Sequence, residues 1–126
     1  MKAAHIMTRR VITAGPGMSI GEATRILSEC HISGLPVVDE EGRVIGVFSA
    51  TDAISKRGDV VGDVMTAPAI TVEPDTSMEE VAALLSAKDI NRLPVIEEGR
   101  LVGIICRADI VRYLATRRAW AEARQD

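Results

Sequence analysis

The sequence predicts a mixed α/β (α+β) fold of two similar halves, each with the order strand, helix, strand, strand, helix. Three observations predict it. Residues 35–52, LPVVDEEGRVIGVFSATD, return as residues 93–109, LPVIEEGRLVGIICRAD. Each copy reads as two apolar, β-branched strands around an acidic turn that closes on glycine, which is a hairpin pattern. Upstream of each copy, a serine followed three residues later by a glutamate opens a helix in the manner of a capping box.

The duplication extends well upstream of the two hairpins. Thr8 matches Thr66 at an offset of 58 residues, and this offset holds as far as the first hairpin turn. One extra glutamate in that turn reduces the offset to 57, which pairs Asp52 with Asp109. A half of about 60 residues would bury only about 60% of the surface that its unfolded chain exposes. We therefore expect the two halves to pack against each other as one folded unit.

The first half is predicted to begin with an entry segment, a short strand, a turn and a capped helix, at residues 1–10, 11–14, 15–17 and 19–30. One face of this helix is apolar at helical spacing. That face consists of Ile20, Ala23, Leu27 and Cys30. After the hairpin, a second helix begins near Thr51 or Asp52, and residues 56–62 form a polar linker with two glycines.

The second half repeats this plan and then departs from it. Ser77 caps a helix that is predicted to bury Met78, Val81, Leu84 and Leu85. From Asp109 the helical pattern continues past Trp120 toward Arg124, whereas its counterpart ends near residues 56–58. These patterns divide the chain into a first repeat, a second repeat and a C-terminal helical extension, at residues 1–58, 59–115 and 116–126.

Composition excludes several classes of protein. The chain has 126 residues, 47% of them apolar, and a net charge of −3, so it suits one packed unit and argues against a nucleic-acid binder. Its aromatic residues are Phe48, Tyr113 and Trp120, too few for base stacking. No apolar run approaches membrane-spanning length, and the first residues lack a signal-peptide pattern. Cys30 and Cys106 have no framework spacing, which is typical of a reduced, cytoplasmic protein.

Catalytic and metal-binding patterns are not found. Cys30 and His31 adjoin, but neighbours on a helix point about 100° apart. His5 and His31 are the only histidines, and no metal-ligand spacing occurs. The stretch GPGMSIG (residues 15–21) imitates a dinucleotide loop, but its spacing is wrong and its repeat partner lacks the glycines, so an ordinary turn is favoured. We expect a protein that is not an enzyme and holds no metal.

Asp52 and Asp109 are the candidate functional residues. A carboxylate in the first turn of a helix lies beside free backbone N–H groups and the positive end of the helix dipole. Such a carboxylate can also accept hydrogen bonds from a cis-diol such as that of ribose. An aspartate at a helix start is favourable by itself, with Ser49 as a possible cap, so the residues alone leave both interpretations open.

The motifs Met-Thr, Ile-Thr, Leu-Pro-Val and Gly-x-x-x-x-x-Asp, in this order and twice, resemble the tandem cystathionine-β-synthase (CBS) domain pair, or Bateman module. The resemblance covers about residues 1–115. It implies two βαββα CBS repeats related by a pseudo-two-fold axis and packed as one module. It also implies two clefts between the repeats that bind adenosine-containing ligands: AMP, ADP, ATP or S-adenosylmethionine.

The resemblance assigns roles to the matching positions. It implies that Asp52 and Asp109 hold the ribose hydroxyls, and that Ser49 faces a phosphate. Cys106 replaces that hydroxyl in the second copy, where the neighbouring Arg107 would compensate as a cation. First-strand and hairpin positions would line the clefts or face adenine with backbone and aliphatic groups: Ile12, Thr13, Ile70, Thr71, Leu35, Pro36, Leu93 and Pro94.

The sequence thus predicts a regulatory module that binds an adenosine-containing ligand and transmits this to a partner. The partner is another copy, a domain of a longer parent chain, or a separate protein. The final helix, which outlasts its repeat partner, carries Tyr113, Leu114 and Trp120, and its apolar surface predicts a homodimer. One alternative is a structural dimerisation module with empty clefts. A weaker alternative is an accessory protein associated with nucleic acid.

Overall fold

The computed structural model describes residues 1–88 and 90–123, with side chains described as far as residue 116 within the last helix. Its elements are α1 (Ala3–Ile6), α2 (Ile20–Cys30), β1 (Gly34–Val38), β2 (Val44–Ser49), α3 (Ala50–Ser55), α4 (Val61–Val64), α5 (Met78–Ala87), β3 (Arg92–Glu97), β4 (Arg100–Cys106) and α6 (Arg107–Ala123). The predicted mixture of helices and strands in two similar halves is confirmed.

Both predicted hairpins are present. Strands β1 and β2 are antiparallel, as are β3 and β4, and each pair has one irregularity in register after its central valine. The hairpin turns end at Gly42 and Gly99, both with φ of +82°, a backbone conformation in which a side chain would be strained. The two turns also contact each other, since the Leu101 N–H donates to the Gly42 carbonyl at 3.0 Å.

Each hairpin is extended by residues of the other half. Thr8, in the entry segment of the first half, bridges Ile104 on β4, and Thr66 bridges Val47 on β2. Each of these bridges contains two backbone hydrogen bonds of 2.8 to 2.9 Å. The short helices are exchanged between the halves in the same way. Helix α1 packs on the second half, and α4 packs on the first.

Two apolar cores result, and each contains an element from the other half. The first core consists of Ala14, Ala23, Leu27, Leu35, Val37, Phe48, Val61 and Val64. The second consists of Ala3, Val72, Met78, Val81, Leu85, Leu93, Val95, Ile105 and Ile110. Because α1 and α4 are exchanged, neither core can be completed by its own half alone. This exchange explains physically why two halves of this size form one unit.

The helix caps follow the predicted pattern. The Ser19 hydroxyl accepts a hydrogen bond from the Glu22 N–H at 3.1 Å, and the Ser77 hydroxyl accepts one from the Glu80 N–H at 3.2 Å. Helix α6 has 17 residues whereas its repeat partner α3 has six, so the predicted extension of the last helix is confirmed. The side chains of Arg117 and Trp120 lie outside the described part of this helix.

Three local predictions are wrong. Cys30 is exposed rather than buried with Leu27, because α2 ends there and the chain turns at His31, where φ is +54°. Of the strand predicted at residues 11–14, only Ala14 pairs, as an isolated parallel bridge to Val37. The linker predicted at residues 56–62 includes the start of α4, because burial of Val61 in the first core orders that segment.

Candidate ligand-binding clefts

Two open cavities lie between the halves, and we name each after the residue that ends its strand. The Cys106 cleft, of about 420 Å³, joins the start of the first half to the junction of β4 and α6. Its walls consist of Thr8, Arg10, Val11, Ile12, His31, Ile32, Ser33, Gly34, Pro36, Asn91, Arg92, Ile104, Cys106, Arg107 and Ala108.

The Ser49 cleft, of about 320 Å³, joins the start of the second half to the junction of β2 and α3. Its walls consist of Ser33, Val47, Ser49, Ala50, Thr51, Asp52, Thr66, Pro68, Ala69, Ile70, Ile90, Asn91 and Arg92. Repeat-related residues therefore occupy matching places in the two clefts. Ile12 and Ile70 form such a pair, and Thr8 and Thr66 form another.

The two clefts adjoin at Arg92, which lines both of them together with Ser33 and Asn91. The Arg92 guanidinium donates to the Ser33 hydroxyl and passes directly over Gly34. A Cβ atom at Gly34 would lie 2.4 Å from the Arg92 Nη1 and 2.9 Å from the Phe48 carbonyl oxygen, so a side chain there would displace the guanidinium and crowd the backbone of β2. Burial lowers the pKa of Arg92, and attraction to the thiolate form of Cys106 opposes that effect.

Asp52 is buried at the edge of the Ser49 cleft, with 4% of its surface exposed. Its Oδ2 accepts hydrogen bonds from the Ser49 N–H at 3.0 Å and the Ser49 hydroxyl at 3.1 Å. Its Oδ1 accepts from the Thr66 hydroxyl at 2.9 Å and lies 2.9 Å from the Lys56 ammonium. Burial raises the pKa of Asp52, but the bonds from Lys56, Thr66 and Ser49 outweigh it and hold the pKa below its ordinary value.

Lys56 links this carboxylate to the neighbouring helix. Its ammonium also donates to the Val64 carbonyl at 3.1 Å, at the end of α4. Lys56 and Thr66 therefore connect the Asp52 carboxylate to the start of the second half. Sequence reasoning missed both residues, although the repeated Met-Thr motif was a signal for Thr66.

Asp109 is buried like Asp52 but is placed differently. Its Oδ2 accepts a hydrogen bond from the Cys106 N–H at 2.7 Å, and its Oδ1 pairs with the Arg112 guanidinium. It lines a third cavity, of about 280 Å³, together with Met1, Ile6, Arg112, Tyr113 and Thr116. The structure does not place Asp109 among the residues that line the Cys106 cleft. The bond from the Cys106 N–H matches the bond from the Ser49 N–H to Asp52, so what differs is Arg112, which pairs with Oδ1 of Asp109.

Cys106 and Arg107 both line the Cys106 cleft. Burial and the nearby Asp109 carboxylate raise the pKa of the Cys106 thiol, against the opposing charges of Arg92 and Arg112. The thiol is therefore neutral near pH 7. Arg107 donates from Nε to the Asn91 side-chain oxygen at 3.1 Å and from Nη2 to the Leu85 carbonyl at 2.9 Å.

The remaining predicted site residues divide into two groups. Ile12, Ile70 and Pro36 line a cleft. The others do not line either cleft: Thr13, Thr71, Leu35, Leu93 and Pro94. Each threonine follows a cleft isoleucine, and successive side chains of an extended segment point to opposite sides. Both leucines are at most 1% exposed in the two cores, which leaves none of their side-chain surface for a ligand.

Sequence reasoning predicted Arg107 but missed three other basic residues of the clefts. Arg10, His31 and Arg92 line the Cys106 cleft although no motif includes them. Among residues 1–88 and 90–123, no helix is long and apolar enough to cross a membrane. The same residues contain no group of three or more histidine, cysteine, aspartate or glutamate side chains that could hold a metal ion.

The protein consists of two equivalent repeats of strands and helices, with two clefts between them. It is therefore a tandem-repeat module. Residues 3–59 and 61–116 each match the CBS domain family, and the chain belongs to that family as a tandem pair of CBS domains. The inosine-5'-monophosphate dehydrogenase of Methanocaldococcus jannaschii is 37% identical over 128 residues. The match covers 99% of this chain and 25% of that enzyme, so the chain spans a quarter of this relative's length.

Solved CBS-pair structures are similar to the whole fold. CBSX2 from Arabidopsis thaliana, in complex with AMP, has a TM-score of 0.88 and 31% identity, covering 93% of this chain and 98% of that one. The CBS domain pair of protein MJ0100, in complex with 5'-methylthioadenosine and S-adenosyl-L-methionine, has a TM-score of 0.85 and 30% identity, with 93% and 98% covered. Adenosine-containing ligands are thus bound by proteins that share this fold.

Proposed function

We propose that this protein is a non-catalytic regulatory module that binds an adenosine-containing ligand and transmits binding to a partner. The observation that carries this proposal is the Ser49 cleft. A buried, ionised Asp52 carboxylate lies at one edge of a cavity whose walls include Ile70 and Ile90. Aliphatic side chains suit the faces of adenine, and a carboxylate suits the hydroxyls of ribose. AMP or a related adenosine derivative fits this combination.

A ligand that binds Asp52 would replace some of the hydrogen-bond donors that the carboxylate already has. An ionised carboxylate has about four acceptor positions, and Ser49, Thr66 and Lys56 already occupy them. Ribose hydroxyls would therefore replace the Thr66 hydroxyl or the Lys56 ammonium. Both of these groups connect Asp52 to the start of the second half, so binding would loosen that connection. We propose this exchange as the first step of transmission to the partner.

The Cys106 cleft would use a different arrangement of the same residues. Asp109 remains a proposed ribose ligand, but its carboxylate would first have to leave the Arg112 guanidinium. Arg107 and Arg92 would face the phosphate in place of the missing hydroxyl. The two repeat-related clefts are therefore proposed to bind adenosine derivatives with unequal affinity.

A thermal-shift panel with AMP, ADP, ATP, S-adenosylmethionine and adenosine tests the proposal. A ligand at 100 times its dissociation constant adds about 2.7 kcal/mol to the free energy of unfolding. Asp52→Ala should weaken binding of the stabilising ligand about 30- to 1,000-fold in calorimetry, since charge-assisted hydrogen bonds contribute about 1.5–3 kcal/mol each. Asp75→Ala, an exposed aspartate outside the clefts, is the matched control. A chain that none of these compounds stabilises would contradict the proposed function.

A second candidate function, a dimerisation module, is favoured by exposed apolar residues on two helices. Val111 and Leu114 on α6 are 64% and 54% exposed, and Ile54 on α3 is 84% exposed. Ile54 is the repeat partner of Val111, so both halves present an apolar residue at the same place. We propose a homodimer whose interface includes α6. This assembly is compatible with ligand binding, and it becomes the main function if the clefts bind nothing.

A further inference from the structure

One arginine side chain lies at the boundary of the two clefts. Among the described residues, Ser33, Asn91 and Arg92 line both clefts. The repeat partner of Arg92, at the offset of 58 residues, is Gly34. The guanidinium passes directly over Gly34, so a side chain at that position would compete with it for the same space. The pseudo-two-fold symmetry is therefore broken at this point, and two clefts share one guanidinium.

The Arg92 side chain is suited to bind an anion that enters either cleft. It is half-buried, and its guanidinium donates to the Ser33 hydroxyl, which is a neutral acceptor. No carboxylate within residues 1–88 and 90–116 forms an ion pair with it. A guanidinium presents several N–H donors in a planar fork, which matches two oxygens of one phosphate group. A phosphate is therefore a better partner for Arg92 than the hydroxyl it now contacts.

The residues beside Arg92 are connected to the helix that borders each cleft. The Ser33 carbonyl accepts a hydrogen bond from the Ala50 N–H at 3.0 Å, at the first residue of α3. The Asn91 carbonyl accepts one from the Arg107 N–H at 3.1 Å, at the first residue of α6. The same backbone contact thus occurs in both repeats. A movement of the Arg92 guanidinium would change its bond to Ser33, which is joined directly to the start of α3.

We infer that Arg92 is a phosphate-binding residue shared by both clefts, and that it makes phosphorylated adenosine ligands bind with negative cooperativity. The first phosphate engages the guanidinium from one cleft. A second ligand then finds this donor occupied, and its phosphate is repelled by the first one. Adenosine has no phosphate, so its two sites are independent. This inference rests on the proposed function, because it assigns a shared residue and a coupling to the same two clefts.

Variants that close one cleft at a time test the coupling. Thr51 and Ala108 are repeat partners, and each is an exposed residue in the wall of its own cleft. Thr51→Trp should close the Ser49 cleft, and Ala108→Trp should close the Cys106 cleft. Titration calorimetry with AMP then gives the Kd of one cleft alone. In wild type the weaker AMP step should be at least about fivefold weaker than either single-cleft value. The two adenosine steps of wild type should equal the single-cleft values.

Substitution of Arg92 tests whether this residue causes the coupling. Arg92→Gln should weaken AMP about tenfold more than adenosine and remove the difference between the wild-type and single-cleft values, because a charge-assisted bond to phosphate is lost. Arg92→Lys keeps the charge without the planar fork and should retain part of the AMP affinity. Arg25→Gln removes the same charge from an exposed position on α2 that lines neither cleft, and is the control.

Three results would overturn the inference while leaving the proposed function intact. The wild-type AMP steps could equal the single-cleft values, which would make the clefts independent. Arg92→Gln and Arg25→Gln could have equal effects on AMP. A closed-cleft variant that is folded by circular dichroism could bind no AMP, which would leave one cleft without a phosphate site. If wild type binds neither AMP nor adenosine, the inference fails together with the proposed function.

Discussion

At the scale of single residues, Asp52 shows how one carboxylate can serve both folding and binding. It closes a capping box with Ser49, which is the structural role expected of an aspartate at a helix start. It also binds Thr66 and Lys56, which come from other segments of the chain. The sequence left open whether Asp52 caps the helix or binds a ligand. The structure is compatible with both roles at once. The cap holds the carboxylate where a ligand in the cleft could reach it.

The stability of the protein should depend on the ionisation of Asp52. Its folded pKa is lowered, so the stabilisation it contributes is present above the unfolded pKa of about 3.9 and is lost as the pH falls through the folded pKa. Asp52→Asn should lower the free energy of unfolding by about 1–3 kcal/mol at pH 7. This difference from wild type should shrink below about pH 4.

Urea unfolding at several pH values, followed by circular dichroism, measures this effect. Asp75→Asn is the control, because the Asp75 side chain is 87% exposed and its ion pair with Lys2 is long, at 3.6 Å. A difference between Asp52→Asn and wild type that stays constant from pH 7 to about pH 3 would show that the carboxylate charge has no such role.

The two cysteines should differ in reactivity. Cys106 is half-buried with a raised pKa, whereas Cys30 is exposed. Because the thiolate is the reactive form, Cys106 should be alkylated at least about tenfold more slowly than Cys30 near pH 7.5. The single-cysteine variants Cys30→Ser and Cys106→Ser, treated with iodoacetamide and followed by mass spectrometry, separate the two rates. Equal rates would mean that the Cys106 thiol is not shielded as described.

At the scale of elements, the exchange of α1 and α4 between the halves makes the two cores depend on each other. Val64 is fully buried in the first core although it precedes the second repeat's strands. Val64→Ala should therefore destabilise the whole chain by about 1–3 kcal/mol, as expected for methyl groups removed from a core. Glu29→Ala, at an exposed position on α2, should change stability by less than about 0.5 kcal/mol.

Hydrogen–deuterium exchange of the backbone amides in the two hairpins tests whether the two cores depend on each other. In Val64→Ala, amides of β3 and β4 should lose protection together with those of β1 and β2, because the halves unfold as one unit. Loss of protection confined to β1 and β2 would mean that the halves are independent.

The elements most local in sequence were the ones that the sequence predicted best. The Ser19 and Ser77 caps and both hairpins depend on neighbouring residues and on alternating apolar positions, which a sequence displays directly. The bridge from Thr8 to Ile104 joins positions far apart in the chain, and no local pattern indicates such a pairing. For the same reason, α1 and α4 were not predicted.

The site was predicted only at the repeated motifs and directly beside them, as at Arg107. Asp52 and Ile70 belong to such motifs and line a cleft. Arg10 and Arg92 are single basic residues outside the motifs, and in a sequence they resemble ordinary surface charges. Their positions follow from how the two halves meet, which depends on the exchange of segments. Their places in the cleft walls therefore became visible only in three dimensions.

At the scale of the whole molecule, the apolar surface of α6 predicts assembly. Tyr113 packs against the second core and is only half-exposed, so the exposed surface belongs mainly to Val111 and Leu114. The predicted dimer contact is therefore centred on the face of α6 that carries Val111 and Leu114 rather than on Tyr113. A solvent-exposed pair of large aliphatic residues on one helix is a candidate for the core of an interface.

We expect the intact chain to be a homodimer in light scattering at about 100 µM, with Leu114→Glu weakening the dimer about a hundredfold or more. The physical reason is that the variant would bury an unpaired carboxylate in an apolar contact, and 2.7 kcal/mol already corresponds to about a hundredfold in affinity. Ala83→Glu adds the same charge at an exposed position on α5 and serves as the control. A wild-type monomer at that concentration would contradict the prediction, and a Leu114→Glu dimer as tight as the Ala83→Glu dimer would place the interface elsewhere.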